Sequence, residues 1–257
     1  MLLKNRICIV TGGSSGIGRG IALEFAREGA HISIADTQEV PLQGKYHEKD
    51  VTSPTVQEIE KLGAQGIYIQ TDVSNENQVA KMIHRTVEHF GGLDILVNNA
   101  GIHIPGGSQD ISMTEWDKVV SVNLRGVFIT TKLAIPYLKK SKYGRIIQIA
   151  SIHAFGGGAG PAYASAKAGV VNMVKDTALE VGKDKITVNA ICPGYIETAI
   201  QDYLTSEQIQ SSLEKTPLQR LGLPKDIGRA AVFFASDDAE WITGTSLLVD
   251  GGASVKA

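Results

Sequence analysis

Ile7-Cys8-Ile9-Val10-Thr11-Gly12-Gly13-Ser14-Ser15-Gly16-Ile17-Gly18 is the stretch that decides the fold. Its first five residues favour an extended strand, and beyond the glycines the apolar spacing turns helical over 17–28. Glycines let a backbone turn sharply and approach a diphosphate closely. The helix N-terminus behind them offers unpaired N–H groups and a partial positive charge to that anion. Such a turn is a weak signal alone. Here it follows a strand, opens a helix and heads a βαβ unit, which is the context that gives it weight. The next strand, His31–Ala35, ends at Asp36, eighteen residues beyond Gly18. A carboxylate there accepts hydrogen bonds from an adenosine ribose, or simply caps the strand. It also repels a 2′-phosphate, and neither Ser15 nor Thr37 supplies a compensating cation. These residues therefore favour NAD(H) over NADP(H).

Working outward, the same alternation continues to the end of the chain. Strands are predicted at Ile7–Thr11, His31–Ala35, Gly66–Gln70, Ile95–Asn98, Arg145–Ala150, Ile186–Ile191 and Ser246–Val249. Several are near-continuous Val/Ile/Leu runs, as parallel strands buried on both faces require. Helical patterns lie near 17–28, 54–62, 75–89, 114–138, 161–181 and 225–235. The fold class is thus α/β, a doubly wound, Rossmann-like parallel sheet with helices on both faces. Neither an internal repeat nor a low-complexity linker divides residues 1–257, so a single domain is expected. Two stretches break the rhythm. Thr37–Ser53 reads as an extended loop closed by Ser53-Pro54, with Ser53 as N-cap and Pro54 opening a helix. Gly194–Leu223 lies past a late strand, where ligands of such sheets bind, and reads as a substrate lid or a surface insertion.

Composition narrows the function classes. The 257 residues are 43% hydrophobic and 20% charged, with a formal net charge of −2. That balance gives no electrostatic footprint for nucleic acid and no polybasic membrane patch. No apolar run approaches the ~20 residues of a membrane span, and the first residues pass into a strand with no signal-peptide pattern. Cys8 and Cys192 lie in separate apolar strands and read as small buried hydrophobes of a reducing, cytoplasmic compartment. His31, His47, His84, His89, His103 and His153 show no metal-ligand spacing, so no metal is expected.

Chemistry is carried by Tyr163-Ala164-Ser165-Ala166-Lys167, twelve residues after Ser151. A free tyrosine hydroxyl, with a pKa near ~10, is a poor base at neutral pH. On a helix the i,i+4 spacing puts Lys167 on the same face, where its charge favours the phenolate. The pair is then suited to proton exchange with an alcohol, and Ser151 from a strand end can hydrogen-bond the same oxygen.

At this point the chain resembles the short-chain dehydrogenase/reductase family in its one-domain, NAD-preferring branch. The resemblance rests on Thr11-Gly12-x-x-x-Gly16-Ile17-Gly18, Asp72-Val73, Asn98-Asn99-Ala100-Gly101, Asn123, Ser151, Tyr163-x-x-x-Lys167 and Pro193-Gly194-x-x-x-Thr198, and it spans essentially the whole chain. It implies that Asp72 and Val73 lie against adenine, and that Asn98, Asn99, Ala100 and Gly101 pack a strand end beside the cofactor. Asn123 would bend its helix to hold a water of a proton relay. Ser151 would polarise the substrate oxygen and Tyr163 act as general acid/base. Lys167 would also bind the nicotinamide ribose, with Pro193, Gly194, the backbone of Ile196 and the hydroxyl of Thr198 around the carboxamide. A homotetramer is the family expectation. One departure stands out: Asp36 and Asp72 are 36 residues apart, about ten more than is usual in the family. The surplus falls in Pro41–Ser53, which either folds over the cofactor or hangs in solvent.

The implied reaction is hydride transfer between NAD(H) and a secondary alcohol/ketone pair of a small-molecule substrate, a sugar or polyol first. A 3-oxoacyl thioester reductase is the second reading, a role that usually goes with NADPH. The remaining readings are a halohydrin-cleaving lyase and a non-enzymatic NAD-binding scaffold or sensor. The substrate pocket is expected from His103, His153, Phe155, Gly156–Gly158, Tyr195 and the lid.

Overall fold

Neighbouring residues on a strand point to opposite sides of the sheet, and in this chain both sides are apolar. Val10 packs into one hydrophobic core and Ile9 into the other; Ile95 and Val97 join the first, and Leu96 the second. This arrangement needs helices on both faces, and the computed structural model, which describes residues 1–201 and 204–255, has them. Strands β1 (Ile7–Thr11), β2 (His31–Asp36), β3 (Gly66–Gln70), β4 (Ile95–Asn98), β5 (Arg145–Ile149), β6 (Thr187–Pro193) and β7 (Ser246–Val249) form one sheet in the order β3-β2-β1-β4-β5-β6-β7. Every neighbouring pair is parallel.

The helices are α1 (Gly16–Arg27), α2 (Thr55–Lys61), α3 (Glu76–Phe90), α4 (Met113–Val120), α5 (Val127–Leu138), α6 (Pro161–Val181), α7 (Ser206–Lys215) and α8 (Pro224–Ala235). Phe25 of α1, Ile59 of α2 and Ile227 and Phe234 of α8 cover one face. Met82 of α3, Leu138 of α5 and Val170 and Val174 of α6 cover the other. Because β1 pairs with β2 on one side and β4 on the other, the winding reverses there and leaves a crevice past the strands' carboxyl ends.

Three local readings are corrected. The helix expected over 114–138 is α4 and α5 joined by a π-helical turn, Ser121–Gly126, with Asn123 inside it. Met113–Leu138 also has the length and apolarity of a membrane span, though Lys118, Arg125 and Lys132 interrupt its apolar run. In its most apolar window 44% is buried: Leu138 and Ile129 sit in the core, while Phe128 is exposed. Finally, Ser53 does not cap α2. The helix starts one residue later, behind an extended Pro54, and the Ser53 hydroxyl instead donates to Glu58 Oε1 at 2.7 Å.

The two cysteines are free and buried, as read from their strands. Of the late aromatics, Phe234 is core while Trp241 is 97% exposed. Asp202 and Tyr203, in the expected lid, lie outside the described residues, as do Lys256 and Ala257.

Candidate active site

The turn after β1 is held by backbone bonds and by one asparagine. Gly12 N–H donates to Ala35 O of β2 at 2.7 Å, and Gly12 takes φ +63, a left-handed conformation that suits glycine. Gly18 permits the closest approach: a Cβ there would lie 2.1 Å from Gly12 O. Asn99 fastens the turn from β4, its Nδ2 donating to Thr11 O and Gly12 O at 3.0 Å each. Thr11 Oγ1 accepts from Asn99 N at 3.0 Å and Ala100 N at 3.1 Å. At the end of β2, Asp36 Oδ2 accepts from Ser14 N at 3.0 Å and Oδ1 from Thr37 N at 2.8 Å.

These elements border a cavity of about 610 Å³ in the crevice. Gly12, Ser15, Gly16, Ile17, Asp36, Asp72, Val73, Asn99, Ala100 and Gly101 line its nucleotide end. Ser14 and Gly18, expected to touch the cofactor, do not reach the wall. Ser14 is buried and positions Asp36 through its N–H, and Gly18 lets α1 close on the turn. Asp72 lines the wall while its Oδ1 accepts from Ser74 N and Oγ at 2.9 and 2.7 Å.

At the other end stand Ser151, just past β5, and Tyr163 and Lys167 on α6. One helical turn puts Lys167 Nζ 5.7 Å from the centre of the Tyr163 ring. Lys167 is buried, and its ammonium donates to Ile149 O at 2.7 Å. Burial in that apolar setting lowers its pKa from 10.5 to about 8, and burial likewise pushes the nearby Cys192 thiol up to about 11. Asn123 stands behind the wall. Its Oδ1 accepts from Ile102 N and its Nδ2 donates to Ile102 O, both at 2.8 Å, which spends the side chain on the strand exit. A Cβ on Gly101 would lie 3.3 Å from Asn123 Oδ1 and 3.6 Å from Lys167 Nζ, so all three meet at one point.

Of the expected substrate residues, His103, His153 and Tyr195 line the cavity, whereas Phe155 and Gly156–Gly158 do not. Phe155 is exposed, because the short 3-10 turn after Ser151 aims it outward. The His103 ring meets Tyr163 edge-on at 5.2 Å and its Nε2 bonds Ala159 O at 2.9 Å. His153 Nδ1 bonds Gly157 O at 2.8 Å, and its ring meets Tyr195 edge-on at 6.3 Å.

Pro193 at the end of β6, and Gly194, Tyr195, Ile196 and Thr198 beyond it, line the wall. Ile196 forms a parallel bridge with Gly222, which closes the base of the segment that starts at Gly194. Ala199, Ile200 and Gln201 of the 194–223 segment also line the wall, whereas sequence reasoning missed Leu42, Glu48, Lys118 and Val122 there. The surplus loop does fold over the site. Leu42 N donates to Ser15 Oγ at 2.7 Å, and the Glu48 carboxylate accepts from Gly16 N and Ala199 N, both at 3.1 Å. No motif marks Glu48; only the excess loop length hinted at it.

A nicotinamide dinucleotide fits these residues. The glycine turn leaves room for nothing but backbone, the first N–H of α1 is a donor of the kind a phosphate oxygen takes and here holds a carboxylate, and the Asp36 carboxylate ends β2 beside the turn.

The family model described as enoyl-(acyl carrier protein) reductase matches residues 12–254. The (2S)-[(R)-hydroxy(phenyl)methyl]succinyl-CoA dehydrogenase subunit BbsD of Thauera aromatica is 37% identical over 257 residues, 100% of both chains. The 3-oxoacyl-[acyl-carrier-protein] reductase FabG of Thermotoga maritima is 34% identical over 253 residues, 98% of this chain and 99% of that one. Two solved structures superimpose over nearly the whole chain. A Sinorhizobium meliloti chain assigned as a short-chain alcohol dehydrogenase gives a TM-score of 0.90 at 34% identity, covering 98% of each. A double mutant of a Serratia marcescens short-chain dehydrogenase/reductase gives 0.88 at 30%, covering 99% of this chain and 100% of that one.

Proposed function

The chain belongs to the short-chain dehydrogenase/reductase family of oxidoreductases, and from that premise we propose that it is an NAD(H)-linked enzyme interconverting a secondary alcohol and its ketone on an acyl thioester. The observation that carries the reaction is the convergence of Ser151, Tyr163 and buried Lys167 on the end of the cavity away from Asp36. Bound nicotinamide supplies the hydride acceptor or donor. Tyr163 is the general base in oxidation, taking the hydroxyl proton, and the general acid in reduction. Ser151 donates a hydrogen bond to the substrate oxygen as charge develops on it. Lys167 is anchored by one N–H on Ile149 O, leaving two N–H groups for the nicotinamide ribose and a charge that favours the phenolate. Asn123 is a positioning residue that fixes Ile102 and the π turn behind the relay.

Support for NAD(H) comes from the nucleotide end. Asp36 ends β2 beside the glycine turn with its carboxylate accepting from Ser14 N, and Glu48 and Asp72 add two more carboxylates to the wall. Support for the thioester comes from the relatives' names, one a 3-oxoacyl carrier-protein reductase, the other acting on a secondary alcohol joined to CoA. We place it ahead of the sugar or polyol, because His103 and His153 each spend a ring nitrogen on a backbone carbonyl. The whole chain then acts as one catalytic unit with 194–223 as its lid. The exposed Trp241, Leu247 and Leu248 suit a homotetramer, and two free cysteines suit the cytoplasm.

The test is steady-state kinetics with NADH and NADPH against acetoacetyl-CoA, and with NAD+ against 3-hydroxybutyryl-CoA, sugars, polyols and simple secondary alcohols. The expected result is thioester turnover with kcat/KM for NADH at least about tenfold above that for NADPH. Turnover confined to sugars, or supported by NADPH alone, overturns the corresponding half of the reading.

A further inference from the structure

The loop between β2 and α2 lies over the seat that a dinucleotide's diphosphate needs. Its Glu48 is half-buried and its carboxylate bridges two backbone donors, Oε1 on Gly16 N at the head of α1 and Oε2 on Ala199 N in the lid, each at 3.1 Å. Among the described residues Glu48 has no salt-bridge partner; two backbone N–H groups hold its carboxylate directly, and the Arg19 guanidinium adds a longer-range attraction. That is the donor set a phosphate oxygen prefers. Its backbone takes φ +54, a left-handed conformation that a non-glycine residue adopts only where its surroundings impose it. The loop is fastened on either side of Glu48. Leu42 N donates to Ser15 Oγ at 2.7 Å, and Arg19 Nη1 donates to Ser53 O at 2.8 Å and Thr55 Oγ1 at 3.0 Å.

We propose that Glu48 is a built-in occupant of the diphosphate seat, a strap that ties the lid to α1 in the free enzyme and that the nucleotide must displace. The proposal rests on the dinucleotide reading above. A carboxylate and a phosphate cannot share Gly16 N–H, because they compete for one donor and repel each other. Binding therefore exchanges one anion for another, which lowers affinity by the share of molecules that are strapped. Departure of Glu48 also breaks the bond to Ala199, so nucleotide binding at one end of the cavity releases the lid over the other.

The experiment titrates the full chain and its Glu48→Ala and Glu48→Gln variants with ADP, adenosine and NADH by calorimetry and fluorescence. Glu48→Ala is expected to bind ADP and NADH about five- to tenfold more tightly than wild type, with Glu48→Gln in between. Adenosine, which lacks phosphate, should bind all three equally. Saturating ADP should speed amide hydrogen exchange across 43–51 in wild type, and Glu48→Ala should exchange fast without ADP. Equal or weaker ADP binding by Glu48→Ala overturns the strap and makes Glu48 a bystander or a supporting contact. If wild type binds neither ADP nor NADH, the dinucleotide reading fails and takes the strap with it.

Discussion

The two ends of the cavity are built on different principles. At the catalytic end the supporting bonds are internal and buried. Lys167, 3% exposed, is anchored on Ile149 O, and Asn123, 0% exposed, spends both amide atoms on Ile102. Nothing that enters the cavity needs those acceptors. At the nucleotide end the bonds of the loop are made to Gly16 N and Ser15 Oγ, groups that a diphosphate would itself take. One end is preorganised for chemistry; the other is satisfied without its ligand and must be reopened. Loss of the Tyr163 hydroxyl at the first should therefore alter rate with little effect on binding, Lys167 should affect both because it also serves the ribose, and changes at the second should act mainly on binding.

The widest separation is expected from Tyr163→Phe. Losing the acid/base hydroxyl should lower kcat about 10²- to 10⁴-fold, the usual worth of a positioned proton donor. NADH affinity, read by fluorescence titration, should stay within about twofold, because the ring and its edge contact with His103 remain. Near-wild-type turnover removes Tyr163 from the mechanism.

Lys167→Met tests what preorganisation costs. Activity should fall about 100-fold as the phenolate loses its nearby charge. Stability of the cofactor-free protein should move the other way. With its native pKa lowered from 10.5 to about 8, Lys167 carries the full penalty of a buried charge below about pH 8, and that penalty fades as pH rises to 10.5. At pH 7 it is on the order of 3 kcal/mol, against about 1 kcal/mol for the lost bond to Ile149 O. The variant should therefore melt several degrees above wild type at pH 7, with the gap narrowing by pH 10. A variant that melts lower at pH 7 shows that the bond to Ile149 outweighs the buried charge.

The same contrast explains what could be read from the sequence. Every catalytic-end residue sits on or just beside a regular element at fixed spacing, so Ser151, Tyr163 and Lys167 were legible once the strand and helix were placed. The π turn around Asn123 was not, because it differs from an α-helix only in which carbonyl each N–H meets. Ser14 and Gly18 were placed on the right turn but on its far side, since a motif names the backbone path and not the surface it exposes. Glu48 was illegible for another reason. Its partners lie 32 and 151 residues away, and a loop carries no periodicity that would orient a side chain across such distances.

Asp36→Ala gives the smallest effect and the cleanest mirror of Tyr163→Phe. Asp36 holds Ser14 N and Thr37 N at the end of β2, whereas Tyr163 and Lys167 stand on α6, and its proposed role is toward the adenosine ribose. Removing it takes away both the ribose acceptor and the charge that repels a 2′-phosphate. KM for NADH should rise about tenfold and KM for NADPH should fall until the two cofactors serve comparably, with kcat for either nearly unchanged. A drop in kcat at constant KM would mean that the ends of the cavity are coupled through the turn rather than independent. Unchanged discrimination would shift cofactor choice to Glu48 and Asp72, the two other carboxylates at that end.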